Sequence, residues 1–443
     1  MKLREAFDIK RGDTTALVGA GGKTSTMAAL AHELASVDLR VIATTTTRIA
    51  KDELPLFSST AAAPDGAISL ENASLPIFVY KAIDRDKANG VSLADTKALS
   101  DQADVLLVEG DGARRLLFKM PREHEPVIPA HATVVIPIVS FRVLGKHLDS
   151  VSVYNAGGII ETFDYLPGER IRSRMIAAVM RDSRGGLKGA PSGARVMPFI
   201  NGVPREGHAR ARARFIAQQI LQNPRVDRVV IGDARDPDPV FEVVKRIGAI
   251  VLAAGLSTRM GTPKVLLEWT NGETILDHIL CQLQNARVDE VCVVTGNHAE
   301  EVAAIAERHG ARAVFNANYA AGEMLSSVNA GLKALPDHIA SAMIVLGDQP
   351  SIRAEVVKRV MRTYWSHPVQ IVAPSYDMRR GHPILLDRGL WEELYALPDG
   401  GAPRDVINRH SSDIVYVNVT DDGILRDVDT PQQYEEERRR AQT

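Results

Sequence analysis

The chain has 443 residues, of which 45% are hydrophobic and 24% charged, and its formal net charge is −2. This composition is typical of a soluble globular protein. The length predicts two or three domains of about 100–200 residues each, and we choose two. The near-neutral charge excludes a general attraction to nucleic acid or to an anionic membrane, so we expect neither as a partner. Two cysteines, Cys281 and Cys292, are too few for a disulfide framework or a CxxC metal site. Because the N-terminal segment is charged and no apolar run approaches ~18 residues, we expect a cytoplasmic protein.

A glycine-rich loop follows the first predicted strand, Thr14 to Val18, and leads into the helical run MAALAHELA. Strand, glycine loop, Lys-Thr and helix predict a phosphate site, in which Lys23 reaches the phosphates and the Thr24 hydroxyl ligates Mg²⁺. Leu17 stands where the usual first glycine would be, so a simple strand-to-helix turn remains open. Together with two carboxylates described next, the predicted nucleotide-binding residues here are Gly19, Gly21, Gly22, Lys23, Thr24, Ser25, Glu109 and Asp111.

Polar residues follow two further predicted strands. Leu39 to Ala43 ends in the sequence TTTTR, and Val105 to Val108 is followed by Glu109 and Asp111. Because open α/β sheets bind ligands at the carboxyl ends of their strands, these carboxylates can hold Mg²⁺ or orient a water. Helix capping and ion pairing explain them equally well.

The motifs VGAGGKTS, TTTTR, VEGDGAR and HEPVIP together resemble the YqeC family over about residues 1–245. The resemblance implies an association with selenium- or molybdenum-dependent hydroxylases, which makes an apo molybdenum hydroxylase a candidate partner. The residues themselves predict a nucleotide-binding domain, with ATP as the candidate nucleotide. The basic stretch 205–214 favours a solvated helix face over nucleic-acid binding, because no aromatic residue is interleaved.

The rest of the first half alternates strands and helices. Ala132 to Val139, Ala194 to Ile200 and Asp227 to Ile231 are predicted strands, and Arg210 to Gln222 is a predicted helix. Residues 233–246 predict a turn and a last helix. We therefore place the domain boundary there, giving domains 1–246 and 247–443.

The second half opens with IVLAAGLSTRMGTPKVLL, from Ile250 to Leu267. A β-branched run ends in small residues, which is typical of a strand feeding a phosphate loop. Arg259 and Lys264 are the predicted catalytic residues, since both can stabilise charge on a leaving pyrophosphate. A glycine-rich turn with two solvated cations is the alternative. The predicted nucleotide-binding residues are Leu252, Ala253, Ala254, Gly255, Ser257 and Gly261.

The order AAGxSxRMGxxK resembles the signature of the MobA-like nucleotidyltransferases, over about residues 247–437. The Ala-Ala-Gly version is similar to the molybdenum cofactor cytidylyltransferases. This resemblance adds Gly322, Ser326 and Ser327 as nucleotide contacts, although a plain helix cap explains the serines equally well.

Two aspartates are the predicted metal ligands. Asp348 follows the buried run AMIVL, and Asp429 stands far downstream in RDVDTP. Two carboxylates and a triphosphate suit the octahedral oxygen ligation of Mg²⁺, and the family pattern places the metal at these two points. Asp427 is the fallback for the second ligand.

The sequence RRGHP supplies the predicted acceptor contacts, Arg380 and His382. The arginine offers charge to the terminal phosphate of an acceptor, and the family resemblance implies the histidine. A hairpin tip is the alternative, and Arg404 and Asp405 are weaker candidates.

These observations predict an α/β protein with two doubly wound, mainly parallel-sheet domains, a phosphate-loop domain and a Rossmann-like nucleotidyltransferase domain. The resemblance implies that the second domain transfers CMP from CTP to molybdopterin carrying molybdenum, with Mg²⁺ and release of pyrophosphate. Three alternatives stay open: a nucleotidyltransferase with another nucleotide or acceptor, a non-catalytic chaperone that inserts the cofactor, and an N-terminal ATPase that acts in selenium or sulfur insertion.

Overall fold

A computed structural model of the chain describes residues 1–63, 74–257, 260–321, 324–398 and 400–442. The chain divides into two compact units, Met1–Val244 and Lys245–Thr443. Within the described ranges, we find no helix whose length and apolar character would let it cross a membrane.

The N-terminal unit contains six α-helices among its described residues: α1 (Leu3–Ala6), α2 (Lys23–Ala35), α3 (Leu93–Gln102), α4 (Ala156–Phe163), α5 (Ser173–Arg181) and α6 (Ala209–Ile220). The strands described in this unit are β1 (Thr14–Gly19), β2 (Val41–Thr45), β3 (Arg48–Ala50), β4 (Ser59–Ala62), β5 (Ile77–Tyr80), β6 (Ala82–Asp84), β7 (Lys87–Asn89), β8 (Val105–Glu109), β9 (Phe118–Lys119), β10 (Val134–Ser140), β11 (Val153–Tyr154), β12 (Arg195–Val196), β13 (Phe199–Asn201), β14 (Val229–Gly232) and β15 (Val240–Val244).

Ten of these strands form one sheet in the order β15-β14-β13-β10-β1-β8-β2-β5-β4, with β12 beside β10. Every neighbouring pair is parallel except β14 and β15. Strands β2, β8 and β10 are buried along their whole length, as expected for parallel strands covered on both faces. The carboxyl ends of the parallel strands therefore meet at one edge.

The predicted helix within residues 233–246 is wrong, because Val240–Val244 is the antiparallel edge strand β15. Its valines are β-branched, which favours a strand, and its five residues are all buried. Glu242 is buried in the strand and pairs with Arg210 and Arg214 of α6. The predicted strand Ala194 to Ile200 is two strands, β12 and β13, separated by Met197 and Pro198. Proline has no N–H group to donate to a sheet.

The C-terminal unit contains seven α-helices among its described residues: α7 (Ile275–Ala286), α8 (Ala299–Arg308), α9 (Met324–Ala334), α10 (Ala354–Ser366), α11 (Trp391–Tyr395), α12 (Pro403–Arg409) and α13 (Pro431–Gln442). The strands described in this unit are β16 (Ile247–Ala253), β17 (Glu268–Thr270), β18 (Glu273–Thr274), β19 (Glu290–Thr295), β20 (Arg312–Phe315), β21 (Ser341–Leu346), β22 (Ile371–Tyr376), β23 (Arg379–Arg380), β24 (Ile384–Asp387) and β25 (Ile414–Asn418).

Eight strands of this unit form a sheet in the order β20-β19-β16-β21-β24-β22-β23, with β25 beside β22. The four strands from β20 to β21 are parallel, and β24 runs antiparallel to β21 and β22. The predicted α/β class with mainly parallel sheets is thus confirmed for both units. The carboxyl ends of β16 and β21 lie side by side.

A glycine lets α9 lie close to this sheet. A Cβ built on Gly331 would stand 2.8 Å from Ile250 Cγ2 and 3.0 Å from Val294 Cγ2. Ser327 precedes Gly331 by one helical turn, so both residues lie on the helix face that packs on β16. The close packing at Gly331 therefore fixes the distance between Ser327 and the end of β16.

We expect Gly331→Ala to lower the free energy of unfolding of the C-terminal unit by about 1–3 kcal/mol, because the added methyl group overpacks the contact with Ile250. In an open helix position the same change would stabilise by up to about 1 kcal/mol. Gly157→Ala in α4, where a Cβ would meet nothing within 4 Å, is the matched control. Denaturant unfolding measures both variants, and a stabilised Gly331→Ala protein would contradict the packing described.

Candidate active site

A cavity of about 430 Å³ opens at the carboxyl ends of β16 and β21 in the C-terminal unit. Its walls come from the loop after β16, the start of α9 and the segments that follow β21 and precede α13. The predicted site residues that line it are Leu252, Ala253, Ala254, Gly255, Ser257, Lys264, Ser327, Asp348 and Asp429. Parts of the chain far apart in sequence thus meet at one sheet edge.

Lys264 lies between the two predicted metal ligands. Its Nζ is 3.2 Å from Asp348 Oδ2 and also donates a hydrogen bond to Asp429 Oδ1. Two hydrogen bonds from backbone N–H groups hold these segments together. Lys264 N donates to Ser257 Oγ at 3.1 Å, and Val428 N donates to Asp348 O at 2.9 Å. The two carboxylates therefore face each other across a single ammonium group.

The environment changes the acidity of these groups. Burial raises the pKa of Asp348 above its usual range, although attraction to Lys264 opposes this shift. Burial also opposes the charged form of Lys264, but hydrogen bonds and attraction from Asp429 and Asp348 outweigh it and raise the pKa of the lysine. Lys264 therefore keeps its positive charge at neutral pH.

The side chains of the cavity supply only part of the ligand shell that a hard divalent cation needs. Asp348 and Asp429 supply carboxylate oxygens, which Mg²⁺ prefers. Within the described ranges we find no group of three or more His, Cys, Asp or Glu side chains that could hold a metal. An ion here would need its other ligands from phosphate oxygens and water, which is usual for Mg²⁺ at nucleotide sites. The fallback ligand Asp427 is engaged elsewhere, because its Oδ1 accepts from Gln349 Nε2 at 2.7 Å.

Asn316 organises the wall formed by α9, and sequence reasoning missed it. Its Nδ2 donates to Ser326 Oγ at 2.9 Å and to Ser327 Oγ at 3.0 Å. The side chain is buried and directly follows β20, at the same carboxyl edge as the cavity. A polar residue immediately after a parallel strand is the signal that could have identified it. Ser327 lines the cavity and Ser326 does not.

Some of the other predicted loop residues lie within the described part of the chain, and two do not. Left-handed backbone occurs at Ser257, with φ 49°, and at Gly261, with φ 66°. A Cβ on Gly255 would meet nothing within 4 Å, so this residue leaves space on the cavity side of the loop. Gly261 does not line the cavity. The predicted residues Arg259 and Gly322 lie outside the described residues.

The predicted acceptor residues do not line the cavity. Arg380 belongs to β23, and its Nη2 is 3.4 Å from Asn408 Oδ1. His382 precedes β24, whose antiparallel register with β21 places the histidine near the end of β21. Burial and the charge of Arg380 lower the pKa of His382 to about 4, so its imidazole is neutral at neutral pH. Asp405 caps α12 by accepting from Ala402 N at 2.8 Å, and neither Asp405 nor Arg404 lines the cavity.

The N-terminal unit has its own cavity, of about 1160 Å³, at the carboxyl edge of its sheet. Lys23 Nζ lies 3.3 Å from Asp111 Oδ1 and 3.6 Å from Glu109 Oε1, while Thr24 Oγ1 donates to Glu109 Oε2 at 2.9 Å. Burial opposes the charge of Lys23, but attraction to Asp111 and Glu109 raises its pKa; burial also raises the pKa of Glu109. Of the predicted residues, those lining this cavity are Gly21, Gly22, Lys23, Thr24, Ser25 and Glu109.

The other two predicted residues, Gly19 and Asp111, do not line the cavity. Both carboxylate oxygens of Asp111 accept from Gly19 N at 3.1 Å. Asp111 also contacts the buried Lys119 Nζ at 3.0 Å, and Lys119 in turn pairs with Glu125 at 2.9 Å. No local pattern connects Lys119 with the glycine loop, because the contact between Lys119 and Asp111 exists only in the tertiary fold.

Comparisons with known proteins cover both halves. The family model for the MobA-like NTP transferase domain matches residues 249–414, and the model for the YqeC protein matches residues 15–157. Escherichia coli K12 YqeC is 31% identical over 51% of this chain and 90% of its own. Nicotine blue oxidoreductase of Paenarthrobacter nicotinovorans is 30% identical over 42% and 94%, and the molybdenum cofactor cytidylyltransferase of Escherichia coli K12 is 28% identical over 42% and 93%. Both resemblances inferred from the motifs are confirmed.

We expect stability to depend on pH through His382. Its pKa is about 4 in the folded chain against 6.5 for an ordinary histidine, so only the unfolded chain takes up this proton between those values. The contribution is complete above pH 6.5 and is lost as the pH falls to about 4, by up to about 3 kcal/mol. Denaturant unfolding of wild type and His382→Gln at several pH values measures the difference. Parallel pH profiles would contradict this prediction.

Proposed function

Because the second half of the chain belongs to the MobA-like NTP transferase family and the first half to the YqeC family, we propose that the second half is a cytidylyltransferase for the molybdenum cofactor. In this proposal it transfers CMP from CTP to the phosphate of molybdopterin carrying molybdenum and releases pyrophosphate. The relative that bears this activity in its name supports the choice of substrates.

One observation carries the proposal: Lys264 lies with Asp348 and Asp429 on the wall of a cavity formed by the loop after β16. A volume of about 430 Å³ lies within the range of about 300–1,000 Å³ that is usual for small-molecule sites. The cavity therefore brings a cation, two carboxylates and a glycine-containing loop to the place where a triphosphate would bind.

The reaction needs little from the protein beyond position and charge. An oxygen of the acceptor phosphate attacks the α-phosphorus of CTP, and the bond from that phosphorus to the bridging oxygen of pyrophosphate breaks. Because the attacking oxygen is already anionic, no general base has to remove a proton. The charged Lys264 stabilises negative charge on the leaving pyrophosphate. Asp348 and Asp429 would hold Mg²⁺, which when bound neutralises phosphate charge.

A second candidate follows from the relative named nicotine blue oxidoreductase, which matches this half over nearly its own full length. In that case the cavity would bind a small organic molecule for a redox reaction. The two candidates make different products, so the same preparation can be tested for both. Oxidation or reduction of nicotine blue by the protein, without release of pyrophosphate from any nucleotide, would replace the proposal.

We expect pyrophosphate release with CTP, Mg²⁺ and molybdenum cofactor, and much less with ATP, GTP or UTP. Lys264→Ala and Asp348→Asn should lower kcat by about 10²–10³-fold, because each removes charge stabilisation or a metal ligand. Lys358→Ala, on the outer helix α10, is the matched control for a lysine outside the cavity. Near wild-type turnover in Lys264→Ala would reject the assigned role. Preference for another nucleotide would reject only the choice of CTP.

We expect Asn316→Ala to raise the KM for the nucleotide about tenfold with a smaller effect on kcat, because Ser326 and Ser327 lose the amide that positions them. Asn318→Ala changes an exposed asparagine two residues along the same turn and serves as the control. Steady-state kinetics with varied CTP separates the two constants. An unchanged KM would show that these serines do not position the nucleotide.

A further inference from the structure

The cavity of the N-terminal unit extends across the ends of six adjacent parallel strands. Residues at or just after the carboxyl ends of β2, β8, β1, β10, β13 and β14 all line it. Its volume of about 1160 Å³ exceeds the range of about 300–1,000 Å³ that is usual for one small ligand. The space is therefore large enough for two.

The glycine loop stands at the middle of this cavity, at the end of the central strand β1. Gly21 and Gly22 have φ values of 91° and 118°, and a Cβ on Gly21 would stand 2.5 Å from Ser140 N. Only glycine fits this backbone without strain. The loop residues from Gly21 to Ser25 line the cavity and open helix α2, where backbone N–H groups and Lys23 favour phosphate oxygens. Thr24 and Glu109, 2.9 Å apart, add the oxygen donors that suit a divalent cation.

On one side of the loop, Asn201 ties together three segments. Its Nδ2 donates to Gly21 O at 2.8 Å, and its Oδ1 accepts from Gly202 N at 2.9 Å and Ala234 N at 3.0 Å. Asn201 and the neighbouring Asp233 both line the cavity. Arg142 and Arg235 line this side as well, and Arg142 Nη2 pairs with Asp233 Oδ2 at 3.2 Å. This side therefore offers both hydrogen-bond donors and acceptors next to the phosphate loop, which suits the hydroxyl and amino groups of a nucleoside.

The other side of the loop, toward β8 and β2, carries exposed cations. Arg48 and Arg114 line the cavity, and no ion pair within the described ranges includes either guanidinium. Arg114 instead lies over the Tyr154 ring, with Cζ 5.8 Å from its centre. Along the whole lining, seven lysines and arginines face four carboxylates. Unpaired guanidinium groups on a concave wall favour a ligand with carboxylate or phosphate oxygens.

We propose that the N-terminal unit binds two ligands at once: a nucleoside triphosphate, with its phosphates on the loop Gly21–Ser25 and its nucleoside beside Asn201 and Asp233, and a second small oxyanion held by Arg48 and Arg114. This site is separate from the cavity of the C-terminal unit and does not depend on the activity proposed there. The phosphate loop lies between the two ligands, so the terminal phosphate of the nucleotide faces the oxyanion.

The nucleotide part is tested by calorimetric titration of the full chain with the imido analogues of ATP, GTP, CTP and UTP in the presence of Mg²⁺. We expect Lys23→Ala to remove one equivalent of bound nucleotide, whereas Lys264→Ala leaves that equivalent in place. Thr24→Val, which keeps the side-chain shape, should weaken this binding about tenfold and reduce its dependence on Mg²⁺. Lys10→Ala, at an exposed lysine outside the cavity, is the control. Equal binding by wild type, Lys23→Ala and Thr24→Val would overturn the proposal.

The second ligand is tested with inorganic phosphate, added after the nucleotide analogue has saturated the loop. We expect the wild type to bind phosphate and the double variant Arg48→Gln with Arg114→Gln to lose that binding while it keeps the nucleotide equivalent. Arg184→Gln, at an exposed arginine paired with Asp182, controls for general loss of positive charge. If phosphate binding is absent in the wild type, or equal in wild type and double variant, the oxyanion part is wrong. Thermal unfolding verifies that each variant is folded.

Discussion

In each unit, a lysine ammonium group lies between two carboxylates at the carboxyl edge of a parallel sheet. Lys264 contacts Asp348 and Asp429, and Lys23 contacts Glu109 and Asp111. A buried or half-buried cation is costly unless it is paired, and two carboxylates close together are costly without a cation. The three charges therefore need one another, and each group of three connects the segment that carries the lysine to the segments that carry the carboxylates.

Parallel topology explains why these charges meet. Strands that run in the same direction end at the same edge, so residues distant in sequence arrive there together. In the C-terminal unit, Asp348 follows β21 while Lys264 belongs to the loop after the neighbouring strand β16. Each triad leaves net negative charge, which a divalent cation or the approach of phosphate to the lysine would redistribute. In the functions proposed above, the same three groups would stabilise the fold without ligand and, with a divalent cation bound, receive a polyanion.

Local patterns made much of this predictable. The α/β class follows from alternating strands and helices, and the two lysines stand at fixed spacings from glycines in short loops. The proximity of Asp348 to Asp429 is different, because nothing in their local sequence connects the two residues and only the family resemblance suggested that they meet. Neither a local motif nor a family resemblance indicated the roles of Asn316, Asn201 and Lys119. Each acts through contacts that exist only after the sheet has formed, and a buried polar side chain has no periodic signature in sequence.

The missed strand β15 shows a related limit, since VFEVVKR suits an amphipathic helix and an edge strand equally well. Pairing with β14 decides the matter through tertiary contacts.

The hydrogen bond from Asn316 to Ser327 has a consequence for the chemistry of the cavity wall. A hydroxyl that already accepts a hydrogen bond from an amide N–H is predisposed to donate its own O–H to the next partner. Ser327 would thus select for carbonyl or phosphoryl oxygen and against an amino group at that point. A single buried amide behind the wall can in this way set the polarity of a surface that it never touches.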